Sequence, residues 1–160
     1  MAVTVVYGSD GGATRSVASR IAKKMNGKSV DIAKATVKDF EDCELLILGI
    51  PTYGDGDLQS DWEEKLQTLK SADISHKRVA LFGLGDQETF PDSFVDAMGI
   101  LYDEVSEQGA EVIGFTETGE FSFSKSRAQR NGKFVGLVLD EDNQSGKTGA
   151  RINSWISQLA

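Results

Sequence analysis

The chain has 160 residues, 39% of them apolar, enough for one domain spanning residues 1–160 that buries most of the apolar surface its unfolded form exposes. Its 25 acidic side chains outnumber 17 basic ones, and the net charge of −8 argues against nucleic acid and against an anionic membrane surface as partners. Cys43 is the only cysteine, so no internal disulfide forms and a cytoplasmic compartment is expected; Met1–Thr4 lacks a basic leader, and no apolar run reaches membrane-spanning length.

The first apolar run, Val3–Tyr7, reads as a strand, and Val17, Ile21 and Met25 then recur at helical spacing. Ser29–Ile32 is a second strand, followed by a short helix or turn at Ala35–Phe40, where only Val37 and Phe40 offer core contacts. Leu45–Ile50 is the third strand, and Trp62, Leu66 and Leu69 mark the next helix. Val79–Leu84 is the fourth strand; Phe94, Val95, Met98, Leu101, Tyr102 and Val105 form one apolar helical stripe. Val112–Phe115 and Phe134–Leu139 are strands on either side of about eighteen residues rich in Gly, Ser and charge, with no helical period. That segment is either a solvated excursion or a binding loop. Ile152, Trp155, Ile156 and Leu159 close the chain on a docked helix. Regular alternation of strand and helix, with continuously apolar strands, predicts an α/β fold with a doubly wound parallel sheet and right-handed crossovers.

In such a sheet the ligand site lies beyond the carboxyl ends of the strands, which singles out three segments. Gly8-Ser9-Asp10-Gly11-Gly12-Ala13-Thr14 follows the first strand and opens into a helix. It can aim backbone N–H groups at a phosphate with the helix dipole behind them, or it can be a plain strand-to-helix turn. It lacks the Gly-Lys-Ser/Thr of a nucleoside-triphosphate loop and the G-x-G-x-x-G of a dinucleotide loop. Pro51-Thr52-Tyr53-Gly54-Asp55-Gly56-Asp57 follows the third strand, and Gly83-Leu84-Gly85-Asp86-Gln87-Glu88-Thr89-Phe90 follows the fourth. Each rim carries one aromatic, suited to sandwich a planar ring or to pack under a loop. Asp140–Ser145 is not a calcium loop, because its sixth position is not glycine and its twelfth, Arg151, is not glutamate. The lone His76 reads as a solvated loop residue, and Trp62 and Trp155 as core.

Taken together and in order, these segments resemble the flavodoxin family, in its long-chain branch. Ser9, Gly12 and Thr14 match the family's phosphate loop. Pro51-Thr52-Tyr53 with Gly56-Asp57-Leu58-Gln59-Ser60-Asp61-Trp62 matches its second loop, and Gly83, Gly85, Asp86 and Gln87 match its third. Arg130–Leu137 and Leu139–Ser145 resemble the carboxy-terminal signature of long-chain members, whose fifth strand is split by a long loop. The resemblance implies a five-stranded sheet, one non-covalent flavin mononucleotide (FMN) and one-electron transport between a reductase and low-potential acceptor enzymes in place of ferredoxin, with no substrate of its own. It implies a monomer whose donor is like the ferredoxin or flavodoxin NADP reductases. Ser9, Asp10, Gly11, Gly12, Ala13 and Thr14 would surround the phosphate. Tyr53 and Phe90 would cover the flavin, with Pro51, Thr52, Gly54, Asp55, Gly56, Leu84, Gly85 and Asp86 beside it. The Gly54–Asp55 peptide would turn over on reduction, since glycine reaches positive φ at little cost. Asp55, Asp57, Asp61, Glu63, Glu64, Asp86, Glu88 and Asp92 would border the rim and meet basic patches on partners.

Four positions depart from the family pattern. Gly11 stands where threonine is usual and Ala13 where lysine is frequent, so weaker phosphate binding is expected; Tyr53 replaces a common tryptophan and Phe90 a common tyrosine. Two other functions share this architecture. A flavin-dependent NAD(P)H quinone reductase would need substrate-pocket segments not evident here. A phospho-accepting receiver would need an acidic pair after the first strand, which ends in Tyr7-Gly8.

Overall fold

Strands buried on both faces favour apolar side chains at nearly every position, and the central strands follow that pattern. The structure, a computed structural model, describes residues 1–54 and 56–159; Asp55, one of the expected site residues, lies outside them. The main sheet is formed by β1 (Val3–Tyr7), β2 (Lys28–Asp31), β3 (Leu45–Tyr53), β5 (Arg78–Leu84), β6 (Glu111–Ile113) and β10 (Leu137–Leu139), all parallel, with the short β4 (Asp57–Leu58) antiparallel to the end of β3. Across it the order is β10–β5–β3–β1–β2. Counting β6 and β10 as two halves of one strand gives 2-1-3-4-5, the doubly wound order for which flavodoxins themselves are a reference example.

Alternation along the strands divides the interior into two cores. Leu46, Leu48 and Ile50 of β3 join Val79 and Leu81 of β5 on one face, covered by α3 (Ser60–Lys70) and α4 (Asp96–Glu107). Leu45, Ile47, Ala80, Phe82 and Leu84 point to the other, covered by α1 (Ala13–Lys24) and α5 (Thr148–Leu159). Trp62 and Trp155 are both buried. Each indole N–H has a carbonyl to satisfy: Trp62 Nε1 donates to Gly49 O at 2.9 Å and Trp155 Nε1 to Gly114 O at 2.8 Å. The short helix expected near Ala35 is α2 (Val37–Glu41), started by the Asp39 carboxylate, which accepts the Thr36 N–H at 2.8 Å and sends Phe40 into the core.

Two boundaries depart from sequence periodicity. The apolar stripe begins at Phe94, but α4 begins at Asp96, because Val95 sits at φ +48° as its cap. Phe94 and Val95 are buried in the segment leading into the helix. The second departure is the run Phe134–Leu139. Lys133–Phe134 (β9) leaves the main sheet and forms a small antiparallel sheet with β7 (Thr116–Glu117) and β8 (Gln129–Arg130); only Leu137–Leu139 reaches β5. The bend falls at Gly136, where a Cβ would lie 2.1 Å from the Leu81 carbonyl oxygen. β8 and β9 are joined by Asn131 and Gly132 at φ +54° and +80°, the conformation of a two-residue hairpin turn.

The fifth strand is therefore split as expected. β6 pairs with Arg78–Ala80 and β10 with Phe82–Leu84 on the same side of β5. The segment between them is not a solvated excursion. Phe121 and Phe123 stack around Phe94 and Phe134, with ring centroids 5.3–6.0 Å apart, and Ala128 is fully buried.

Gly49 lies opposite Phe82 in the β3–β5 pairing, and a Cβ there would meet the Phe82 ring at 2.0 Å. The ring in turn contacts Trp155 edge-on at 6.5 Å. Gly49→Ala should cost about 1–3 kcal/mol by overpacking. In a Phe82→Leu background the same substitution should cost clearly less; urea unfolding of the four proteins measures the coupling.

Candidate functional site

Four loops leave the carboxyl ends of β1, β3, β5 and β10 at one edge of the sheet and enclose an open cavity of about 310 Å³. The first contributes Ser9, Gly11, Ala13 and Thr14; the second Pro51, Thr52, Tyr53 and Gly54; the third Leu84, Gly85, Asp86 and Phe90. The fourth contributes Glu141 and Asp142, which sequence reasoning missed. That loop too follows an apolar strand, the last in the chain, so the strand-end rule reaches it.

The first loop is shaped by its glycines. Gly12 caps α1 at φ +94°, a left-handed conformation that disfavours any side chain, and its N–H donates to Ser9 Oγ at 3.0 Å. Cβ atoms added at Gly11 or Gly12 would meet nothing within 4 Å, so the backbone there faces open space. α1 has no side-chain cap. Among the described residues no protein acceptor takes the N–H of Ala13, Thr14 or Arg15, the helix's unpaired first-turn donors. Thr14 is buried at the base of this turn.

The second loop is tied to the first. Gln59, fully buried, donates to Asp10 Oδ1 at 2.9 Å and Asp61 Oδ2 at 3.0 Å while its oxygen accepts the Trp62 N–H. Tyr53 is 38% exposed, an unusual position for an aromatic ring. Its hydroxyl is pushed up from the ordinary tyrosine range by partial burial first and by the negative charge of Asp10 second. Gly54 lies at φ +50°, and its carbonyl accepts from Ser93 Oγ at 3.4 Å. Thr52 Oγ1 accepts the Ala97 N–H at 3.0 Å, satisfying one donor of the α4 N-terminus.

The third loop is a tight turn around Asp86. Its carboxylate accepts the N–H groups of Glu88 and Thr89 at 3.2 and 3.0 Å and the Asn143 amide at 2.9 Å, and its carbonyl accepts the Phe90 N–H at 2.9 Å. The turn delivers the half-buried Phe90 to the cavity wall.

Three expected residues do not line the cavity. The Asp10 carboxylate is engaged by Gln59, Gly12 serves the helix cap, and Gly56, at φ +104°, faces Asp96, whose Oδ2 would lie 2.9 Å from an added Cβ. No cationic side chain of the described residues lines the cavity, and Asp86, Glu141 and Asp142 make its third and fourth walls acidic. Of the other acidic side chains expected around the rim, Asp57, Glu63, Glu64, Glu88 and Asp92 are exposed and Asp61 half-buried. His76 is exposed and precedes β5, at the end of that strand away from the cavity.

Asp86 and Asp142 titrate with opposite signs. The Thr89 N–H, with help from Asn143, holds Asp86 below the ordinary carboxyl range despite partial burial. Its stabilising contribution is complete above the unfolded carboxyl value of about 3.9 and is lost as pH falls through the lower folded value. Asp142 is raised, by desolvation first and then by the charges of Asp86 and Asp140. It costs stability above its folded value, and the cost disappears as pH falls toward the unfolded value. Asp142→Asn should therefore raise the urea midpoint at neutral pH and leave it unchanged near about pH 3, whereas Asp86→Asn should lower it at neutral pH, with the difference fading in acid.

Comparison with known proteins identifies the frame. The family model described as Flavodoxin matches residues 5–155. A flavodoxin of Synechocystis sp. is 45% identical over 161 residues, covering 98% of this chain and 95% of that protein. One from Helicobacter pylori is 40% identical, covering 98% and 95%. The crystal structure of a Fusobacterium nucleatum flavodoxin bound to flavin mononucleotide superposes with a TM-score of 0.92 at 35% identity, covering 99% of this chain and 96% of that one. By sequence and by fold, the chain belongs to the flavodoxin family.

Proposed function

We propose that the cavity holds one FMN non-covalently and that the chain is an electron-transfer protein rather than an enzyme with a substrate. The observation that carries this reading is the pairing, in one cavity, of an uncapped helix N-terminus facing open space at Gly11 with two aromatic rims, Tyr53 and Phe90. The cavity lies within the usual size range of cofactor clefts. A bound flavin supplies the one-electron chemistry, so the residues of this chain bind, orient and shield it.

The residues of the first loop accept the phosphate. The free N–H groups of Ala13, Thr14 and Arg15, the Thr14 hydroxyl and the positive end of α1 do the work that lysine or arginine does elsewhere, since no cationic side chain of the described residues lines the cavity. Ser9, Gly11 and Ala13 form the remaining wall of this end; Asp10 and Gly12 support it from behind. Tyr53 and Phe90 cover the ring system, with Pro51, Thr52, Leu84 and Gly85 beneath them. Gly54, at φ +50°, has the backbone freedom that would let its carbonyl leave Ser93 Oγ and turn toward the edge of a bound ring. The acidic walls at Asp86, Glu141 and Asp142 disfavour added negative charge in the cavity.

Exposed Asp57, Glu63, Glu64, Glu88 and Asp92 lie on the segments that follow β3 and β5 and add negative charge there. That charge suits partners with basic patches: a reductase of the ferredoxin or flavodoxin NADP type as donor, and low-potential enzymes as acceptors. The chain works as a monomer in the cytoplasm; among its described residues no helix is long and apolar enough to cross a membrane.

The phosphate assignment is tested by affinity. The cofactor-free protein should bind FMN one to one and far more tightly than riboflavin, and Thr14→Val should weaken FMN by on the order of 1.5–3 kcal/mol with little change for riboflavin. Equal affinities for the two flavins would refute it. The docking assignment is tested by kinetics. Reduction by a basic NADPH-dependent reductase should slow steadily with added salt as the attraction is screened over about 8–10 Å, and no NAD(P)H should be oxidised when the reductase is left out.

A further inference from the structure

The 116–133 insertion touches the third loop through one buried side chain. Gln87, 5% exposed, follows Asp86 in the turn that carries Phe90. Its Nε2 donates to Asp140 Oδ2 at 2.7 Å, and its own backbone N–H donates to the same oxygen at 3.1 Å. Its Oε1 accepts the Ser122 N–H at 2.7 Å. The amide is thus used at both ends, as donor to the fourth loop and as acceptor from the insertion. Neither end can be exchanged for the other.

Asp140 is fully buried at the end of β10, and both its oxygens are occupied. Besides Gln87, it accepts the Asn143 backbone N–H at 3.1 Å and shares the Asn143 side-chain amide with Asp86. The turn at Asp86 is therefore gripped from two directions, by Asn143 through Asp86 and by Asp140 through Gln87. Beyond Gln87 the insertion lies along the rest of the same loop: the N–H groups of Ser124 and Lys125 donate to Pro91 O, and Arg127 N–H donates to Asp96 Oδ1. None of Gln87, Asp140 and Ser122 lines the cavity.

We propose that Gln87 is a positioning residue that makes the insertion and the β10–α5 loop jointly hold the Phe90 turn in its cavity-facing conformation. The proposal rests on the reading of the cavity as an FMN site, but the coupling itself does not need the cofactor. Hydrogen bonds at both ends of a buried amide fix one geometry; removing the side chain releases the Ser122 N–H and leaves Asp140 Oδ2 to the Gln87 backbone N–H and the Asn143 amide, so the insertion is no longer tied to the turn. The turn would then relax and Phe90 would no longer be held in place.

Two variants test this. Gln87→Leu keeps the volume and removes both side-chain links while leaving the backbone N–H on Asp140; it should weaken FMN about ten- to a hundredfold in a fluorescence titration. It should also speed amide hydrogen exchange at Glu88, Thr89 and Phe90 as well as at Ser122, in the cofactor-free chain. Gln87→Glu keeps the shape but sets a carboxyl against Asp140, with Asp86, Glu141 and Asp142 the other carboxyls on the loops around it. Its affinity relative to the parent should be poor at about pH 8 and recover toward about pH 5, where the introduced carboxyl, once protonated, again donates to Asp140 and accepts from Ser122. Taking the ratio to the parent at each pH cancels the titration of the other carboxyls and of the phosphate. A purely steric role for Gln87 would leave that ratio flat. FMN affinity for Gln87→Leu within about twofold of the parent, or a flat Gln87→Glu ratio, or exchange changes confined to Ser122, would overturn the proposal. If the parent itself failed to take up FMN, the cavity reading would fall, while the exchange measurement would still decide whether Gln87 couples insertion and turn.

Discussion

A strand covered on both faces can carry no polar side chain without a buried partner, and β1, β3 and β5 are covered on both faces along most of their length. That constraint moves all the chemistry of this chain to the strand ends. Parallel strands with right-handed crossovers then bring those ends to one edge. The cavity is assembled from four loops because four strand ends are there.

Loops alone do not hold a shape, and buried amides do much of the holding here. Gln59 ties the first loop to the second through Asp10, and Gln87 ties the third to the fourth through Asp140. Both glutamines are almost wholly buried and both use a carboxylate as acceptor. A carboxylate accepts several N–H groups at once, whereas a hydroxyl or carbonyl offers fewer positions; that is why Asp86 and Asp140 sit where turns converge.

The main sheet was legible because its central strands are apolar at most positions, and short apolar runs of that kind with helices between them fit few arrangements but a doubly covered sheet. Helix starts were less so. The stripe that begins at Phe94 belongs to the core, but the backbone at Val95 is bent by its surroundings, which no local periodicity records. In the insertion, Asn131-Gly132 is a legible hairpin signal, while Phe121 and Phe123 are two apolar residues in a polar segment and gain meaning only against Phe94 and Phe134. The first three walls of the cavity followed from the strand-end rule. Glu141 and Asp142 obey the same rule, but their acidic, amide-rich segment looks first like a failed calcium loop, which hides its place at a fourth strand end. Asp10, Gly12 and Gly56 show the limit of adjacency: neighbours in a loop point in different directions, so a segment that borders the cavity also holds residues that do not line it.

The split fifth strand has a consequence for the molecule's life in a crowded solution. It forms one border of the main sheet, and a long, flat border strand is a template on which another chain can add itself by backbone hydrogen bonding. Here that border is two pieces of three residues each, separated by the segment that departs after Gly114 and returns at Gly136. Neither piece is long enough to seed a ladder, and the small sheet of the insertion turns away between them. The interruption that brings the insertion to the Phe90 turn also denies neighbouring chains a continuous edge, so the feature that shapes the cavity guards against self-association at high concentration.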